Sequence, residues 1–89
     1  MIVCKRVQYS GRVQGVGFRY TARRIAGGFA VAGFVRNLAS GDVELVAEGE
    51  ADEVQRFLDA IASRMAGYIR EQQVSDAPAS SVSGFDIRA

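Results

Sequence analysis

The sequence predicts an α+β fold, a two-layer sandwich in which two helices cover one face of an antiparallel sheet. Three observations predict it. The chain has 89 residues, which suits a single domain spanning 1–89. Two segments carry apolar residues at helical spacing, and several shorter segments are rich in β-branched residues. Their order is strand, helix, strand, strand, helix, strand, with a short extra strand at the C-terminal end.

The first strand is predicted over residues 2–10, where β-branched and polar side chains mix. Glycines at positions 11, 15 and 17 then interrupt regular structure. A helix is predicted from Phe18, because apolar residues recur at intervals of three and four. This stripe consists of Phe18, Ala22, Ile25, Ala26 and Phe29. Gly27 and Gly28 are predicted to end the helix or to fray it.

A β-hairpin is predicted next, with strands at 31–38 and 43–47 joined by a turn at 39–42. A second helix follows, opened by Gly49 and an acidic stretch that suits the positive N-terminal end of a helix dipole. Its apolar stripe consists of Val54, Phe57, Leu58, Ile61 and Met65.

The last part of the chain predicts a fourth strand at 68–74, a polar loop at 75–82 and a short final strand at 85–88. Two split βαβ units in this order form the ferredoxin-like (βαββαβ) arrangement. Enzymes, RNA-binding domains and regulatory modules all use this arrangement, so the fold does not decide the function.

Composition excludes several classes of function. The chain has no histidine, which excludes Ser-His-Asp and Cys-His catalysis, histidine general bases and histidine metal ligands. Its one cysteine, Cys4, cannot form an internal disulfide, which suits a reducing compartment. No apolar run is long enough for a signal peptide or for the roughly 18 residues of a membrane span. We therefore expect a cytoplasmic protein with no membrane association.

Charge is distributed unevenly along the chain. Residues 1–41 contain seven bases and no acid, whereas residues 42–89 contain four bases and ten acids. This asymmetry points to an anionic partner held by the N-terminal part. The alternative is that the two parts interleave in space and their charges pair with each other.

The most informative segment is a glycine-rich loop between the first strand and the first helix, where residues 11–19 read GRVQGVGFR. Glycine permits positive φ, so successive backbone N–H groups can point inward and bind an anion at the helix N-terminus. Arg19 stands at the helix start, where its guanidinium can grip the same anion. A tight turn with a solvated Arg19 is the alternative. Phe18 and Tyr20 exclude the Walker and dinucleotide motifs, which require lysine and glycine at those positions.

A second candidate residue, Asn37, ends the segment GFVRNL at 33–38, just before the predicted turn. Its side chain offers both a donor and an acceptor, so it can orient a water molecule without titrating. The alternative is an asparagine that caps the turn.

These segments resemble the acylphosphatase family at the right spacing over nearly the whole chain. The resemblance is carried by GRVQGVGFR at 11–19, GFVRNL at 33–38, GDVE at 41–44, AEG at 47–49 and GFDIR at 84–88. It implies hydrolysis of the carboxyl–phosphate anhydride of acyl phosphates to a carboxylate and inorganic phosphate, without a metal or other cofactor.

The resemblance also implies which residues form the site. It places the catalytic roles on Arg19 and Asn37. Its phosphate-binding loop falls on Gln14, Gly15, Val16, Gly17 and Phe18. The expected partners are a small-molecule acyl phosphate and inorganic phosphate or sulfate as product or analogue. Nucleic acid is not an expected partner, and a monomer is the expected state.

Two other function classes fit parts of the pattern. An RNA-binding module shares the order of elements, but its basic-aromatic motif is incomplete here and the sequence pI of 7.9 is not strongly basic. A non-catalytic anion sensor would keep the glycine loop without turnover. Salt-dependent RNA binding would favour the first class, and phosphate binding without hydrolysis would favour the second.

Overall fold

The structure of the chain, a computed structural model, describes residues 1–79 and 82–89. It contains five strands and two helices. In chain order they are β1 (Ile2–Gly11), α1 (Phe18–Ala26), β2 (Val31–Asn37), β3 (Val43–Glu50), α2 (Ala51–Arg64), β4 (Ile69–Asp76) and β5 (Phe85–Arg88). The predicted order of elements is therefore confirmed.

The five strands form one sheet in the order β4-β1-β3-β2-β5. The four long strands pair antiparallel, and β5 adds to the outer edge of β2 in parallel. The sheet is therefore mixed, with the predicted antiparallel arrangement in its first four strands. Both helices pack on the sheet, α1 against β2 and β5, and α2 against β1 and β3.

The element boundaries differ from the predicted ones by a few residues. Helix α1 ends at Ala26, where the Gly27 amide bonds back to the carbonyl oxygens of the last turn, and Phe29 lies beyond it while still packing on the core. Strand β3 runs on to Glu50, so α2 starts two residues after Gly49. Strand β4 runs to Asp76, so the predicted loop is shorter than 75–82, and its serines 80 and 81 lie outside the described residues.

The core lies between the sheet and the helices. Its fully buried members include Tyr9 from β1, Leu45 from β3, and Phe57 and Ile61 from α2. Phe57 contacts Phe85 of β5, with ring centroids 5.3 Å apart. The helical stripes read from the sequence therefore face the sheet, as amphipathic helices do. Neither helix of the described part of the chain is long and apolar enough to cross a membrane.

Candidate active site

The topology brings the glycine loop and Asn37 to the same edge of the sheet. Strands β1 and β2 both run antiparallel to β3, which lies between them, so their carboxyl ends meet at one edge. Val43 of β3 pairs with Tyr9 on one side and with Asn37 on the other. Two strand spacings, roughly 10 Å, therefore separate Tyr9 and Asn37 across the sheet. The loop leaves β1 two residues after Tyr9 and passes to α1.

The backbone of this loop alternates between left-handed and ordinary conformations. Gly15 has φ 77° and Gly17 has φ 78°, whereas no residue other than glycine has a positive φ in the described chain. Val16 therefore sits between two left-handed glycines. Such alternation turns successive N–H groups toward a common concave side, which is the arrangement of an anion-binding nest. A residue with a Cβ would be strained at either glycine.

The loop ends in the open N-terminus of α1. Thr21 is the first residue of the helix whose amide bonds back, to the Gly17 carbonyl oxygen at 2.9 Å. The amides of Phe18, Arg19 and Tyr20 are therefore the free donors that every helix N-terminus presents. Gly17 caps the helix without a side-chain hydrogen bond, and the first turn contains no acidic residue. The positive end of the helix dipole consequently faces the loop without a competing carboxylate.

The side chain of Gln14 fastens the loop to the β2–β3 turn. Its amide nitrogen donates to the carbonyl oxygens of Leu38 at 2.8 Å and Asp42 at 2.9 Å. Leu38 directly follows Asn37, so Gln14 sets the distance between the loop and this residue. The carboxamide of Gln14 thus holds the loop in place, and the main chain of Gln14 remains available to contact a ligand.

Phe18 anchors the other end of the loop in the core. Its side chain is only 2% exposed and lies against Tyr9, with ring centroids 4.9 Å apart. The aromatic ring therefore points away from solvent, and only the main chain of Phe18 can face an anion. Anchored by Gln14 and Phe18, the loop is held at both ends.

Arg19 and Asn37 are both half-buried at this edge. Within residues 1–79 and 82–89, the Arg19 guanidinium forms no ion pair and the Asn37 carboxamide donates no hydrogen bond to another side chain. Both side chains thus have no such partner in the described chain. Arg19 belongs to α1, which begins at the loop, and Asn37 belongs to β2, which ends at the turn that Gln14 contacts. Asn37 is the last residue of β2, and Arg19 is the second residue of α1.

Other arginines of the N-terminal part serve a structural role on the face of the sheet that points away from the helices. The buried carboxylate of Glu44 accepts hydrogen bonds from Arg6 at 2.5 Å and Arg36 at 2.6 Å. Burial alone would raise the pKa of Glu44, but the bonds and charges of Arg36 and Arg6 outweigh it and lower the pKa. The interleaving of the two parts of the chain therefore accounts for some of the charge asymmetry, but not for Arg19.

A second group of basic side chains lies at this edge, and no motif in the sequence predicts it. Arg12 and Arg70 line an open cleft between the end of β1 and the start of β4. Position 70 lies at an irregularity in strand pairing that no residue pattern indicates. Among the described residues, no group of three or more acidic, histidine or cysteine side chains is arranged to hold a metal ion.

The acylphosphatase family model matches residues 5–87 of the chain. The chain belongs to the acylphosphatase family. It is 46% identical to the acylphosphatase of Methanothrix thermoacetophila over 67 residues, which cover 75% of this chain and 74% of that protein. It is 38% identical to the acylphosphatase of Listeria welshimeri, with 91% of this chain and 90% of that protein covered.

The fold agrees with a solved acylphosphatase. The crystal structure of acylphosphatase from Bacillus subtilis is similar with a TM-score of 0.87 and 30% identity, and each chain covers 100% of the other. The predicted fold class and the predicted enzyme class are thereby confirmed.

Proposed function

We propose that the chain hydrolyses acyl phosphates at the edge where its glycine loop meets Asn37. The loop of residues 14–18 and the guanidinium of Arg19 hold the phosphoryl group, and Asn37 orients the attacking water. One observation carries this assignment: a loop with two left-handed glycines opens onto an uncapped helix N-terminus beside an arginine that pairs with no acid in the described chain.

The reaction needs few functional groups because its leaving group is a carboxylate. The conjugate acid of a carboxylate has a pKa of about 4, so the group departs without protonation. No histidine is present to act as a general acid or base. The phosphate of the substrate can itself accept the proton of the attacking water, so a protein base is not required.

Catalysis then rests on position and electrostatics. Phosphoryl transfer passes through a loose transition state with charge on the equatorial oxygens. Preorganised amides and a forked guanidinium stabilise that charge without reorganising during the reaction. Gln14 and Phe18 supply the preorganisation, because they fix both ends of the loop before substrate arrives. The Asn37 carboxamide acts as donor and acceptor toward one water molecule, on the strand end next to the loop.

The proposed setting is that of a cytoplasmic monomer that binds an acyl phosphate and releases inorganic phosphate, with no metal or cofactor. Cys4 is buried and unpaired, which supports a reducing compartment. The large exposed apolar side chains of the described residues are few and come from several elements, which supports a monomer. They are Met1, Ile2, Tyr20, Tyr68 and Val74.

An acyl-phosphate hydrolysis assay in excess chelator tests the proposal. Wild type should hydrolyse benzoyl phosphate, and Arg19→Ala should lose at least about a hundredfold in kcat/KM, as for an oxyanion-hole donor. Arg24→Ala, on the exposed face of the same helix, is the matched control and should remain active. Wild type that binds phosphate without any hydrolysis would instead identify an anion sensor, and activity lost on chelation would identify a metal enzyme.

A further inference from the structure

A cleft of about 360 Å³, open to solvent, lies beside the proposed site at the same edge of the sheet. It is formed where β1 ends and β4 begins, since these two strands run antiparallel. The residues that line it are Gly11, Arg12, Gly67, Tyr68, Ile69 and Arg70. Arg12 is two residues before Gln14, so the cleft and the phosphate loop share one segment of chain. None of the functions proposed above uses it.

The walls of the cleft are held by main-chain contacts. Gly11 has φ 128°, and a Cβ there would lie 2.4 Å from the Tyr68 carbonyl oxygen and 2.7 Å from the Arg70 nitrogen. Only glycine allows this close approach of the two strands. The Arg12 amide then donates to the Tyr68 carbonyl oxygen at 2.9 Å. The backbones that carry the two arginines are thus fixed relative to each other.

A break in strand pairing places Arg70 at the cleft. Ser10 pairs with Glu71, but the next residue, Gly11, pairs with Ile69. Arg70 is therefore an extra residue on β4, which is the pattern of a β-bulge. Bulges redirect side chains at the rims of functional sites. Here the extra residue is the one that lines the cleft together with Arg12.

The cleft carries positive charge that nothing in it neutralises. No acidic residue lines it, and neither Arg12 nor Arg70 forms an ion pair within the described residues 1–79 and 82–89. Tyr68 is 40% exposed and lines the same cleft as the two arginines, so it adds an aromatic side chain to the charged lining. A short carbon chain that ends in a negative group matches this combination, because arginine binds carboxylate and phosphate by forked hydrogen bonds.

The strand order places the cleft on the side where the acyl group leaves. In an in-line displacement, the attacking water and the leaving oxygen lie on opposite sides of phosphorus. The water is held from Asn37 on β2, and the cleft lies on β4, with β1 and β3 between them. If Asn37 holds the water as proposed, the leaving acyl group of a phosphoryl group bound in the loop points away from β2 and toward β4.

We propose that this cleft binds the acyl part of the substrate and selects acyl phosphates that carry a second negative charge at the far end of the acyl chain. Arg12 and Arg70 bind that charge, and Tyr68 contacts the carbon chain. The proposal rests on the proposed function, because it identifies the substrate class of the same site.

Two substrates of equal carbon number test the selection. Succinyl phosphate carries a terminal carboxylate, whereas butyryl phosphate ends in a methyl group. For wild type, the ratio of kcat/KM for succinyl phosphate to that for butyryl phosphate should be about ten, the effect expected of two partly exposed charge-assisted contacts. The double variant Arg12→Gln/Arg70→Gln should reduce this ratio to about one, and each single variant should give an intermediate ratio.

The matched control is Arg23→Gln/Arg24→Gln, which removes the same charge from the far end of α1. It should leave the ratio unchanged, and circular dichroism should confirm that all variants fold. A wild-type ratio near one would overturn the selection, as would an equal loss in the control, which would show a general effect of net charge. The single variants decide the question if the double variant does not fold. Failure of wild type to hydrolyse either substrate would instead overturn the proposed function itself.

Discussion

The arginines on the open face of the sheet and those at its loop edge are chemically identical but differ in their neighbours. On the face, Arg6 and Arg36 converge on the buried carboxylate of Glu44. At the edge, Arg19 pairs with no acid in the described part of the chain, and it stands in the first turn of α1, whose amides lack a side-chain cap. The first pair is neutralised within the fold, whereas Arg19 has no acidic partner in the described chain, which is why we propose that the edge binds an anion.

This difference shows what charge asymmetry in a sequence can mean. Seven bases and no acid in residues 1–41 predict either an anionic partner for the N-terminal part or charge pairing between the two interleaved parts of the chain. In the fold, strand pairing places Glu44 of β3 opposite Gln8 of β1 and Arg36 of β2. Ion pairs between Glu44 and the bases of the N-terminal part therefore neutralise part of the charge asymmetry. Only the bases that the topology separates from acids remain for binding.

The largest expected effect is the loss of activity when Arg19, at the loop edge, is replaced. Arg19→Lys keeps the charge but loses the planar fork of the guanidinium, so kcat/KM for benzoyl phosphate should fall at least about a hundredfold. The free energy of unfolding in urea should change by less than about 0.5 kcal/mol, because Arg19 forms no ion pair with the residues that the structure describes. Steady-state kinetics and urea unfolding measure the two quantities. Arg24→Lys is the control, and activity near wild type in Arg19→Lys would remove this residue from the site.

The next effect separates binding from turnover at the same edge. Asn37→Ala should lower kcat about a hundredfold, since the attacking water is no longer oriented. The affinity for inorganic phosphate, measured as competitive inhibition, should stay within about twofold, because the loop amides and Arg19 are intact. Equal losses of kcat and of phosphate affinity would show that Asn37 holds the anion rather than the water.

A change in the Glu44 ion pairs should alter the stability of the fold rather than its activity. Glu44→Gln leaves two guanidiniums without a carboxylate and should cost about 2 kcal/mol in the free energy of unfolding at pH 7. The exposed residue Glu71 provides the control Glu71→Gln, which should cost less than about 0.5 kcal/mol. The rate of benzoyl phosphate hydrolysis by Glu44→Gln should remain near that of wild type.

The ion pairs of Glu44 also predict that the stability of the fold depends on pH. The folded protein lowers the pKa of Glu44 from its ordinary value of 4.5, so the folded state favours the ionised carboxylate. Its contribution is therefore complete above that ordinary value and is lost as pH falls through the lower folded value. The stability difference between wild type and Glu44→Gln should shrink below about pH 4.5. A difference that stays constant down to pH 2 would contradict the ion pair.

The smallest effect concerns the link between the loop and the β2–β3 turn. Gln14→Ala removes two hydrogen bonds to main-chain carbonyls, which should cost about 1 kcal/mol in stability. It should also reduce kcat/KM several-fold, because the loop loses its fixed distance from Asn37. Gln72→Ala, on exposed β4, serves as the control for both measurements. Unchanged kinetics in Gln14→Ala would show that the turn does not position the loop.

The fold was largely predictable because local signals and global topology agree in this chain. The two apolar stripes predict two helices, which the structure has at Phe18–Ala26 and Ala51–Arg64, and the glycines at 27 and 28 coincide with the end of the first. The parallel pairing of β5 could not be predicted, since it depends on which sheet edge remains open after the other strands have paired. The predicted ends of β3 and β4, at residues 47 and 74, fall short of the observed ends at Glu50 and Asp76. The polar residues at these strand ends are typical of loops, which is why the prediction stops before them.

The site was predictable only in part, for a different reason. The glycine spacing predicted a loop with positive φ, and Gly15 and Gly17 adopt it. The brace from Gln14 to Leu38 joins residues 24 positions apart, and no local pattern encodes such a contact. The bulge at Arg70 likewise arises from strand register, which is set by the packing of β1 against β4.

The unpaired amides at the start of α1 also predict that inorganic phosphate, the product of the proposed reaction, affects the stability of the fold. The folded chain presents these donors together, whereas the unfolded chain scatters them, so the proposed site predicts that inorganic phosphate binds the native state and not the unfolded chain. By mass action, phosphate at a hundred times its Kd should add about 2.7 kcal/mol of stability. The melting temperature of wild type should therefore rise with phosphate concentration, and that of Arg19→Ala should rise less.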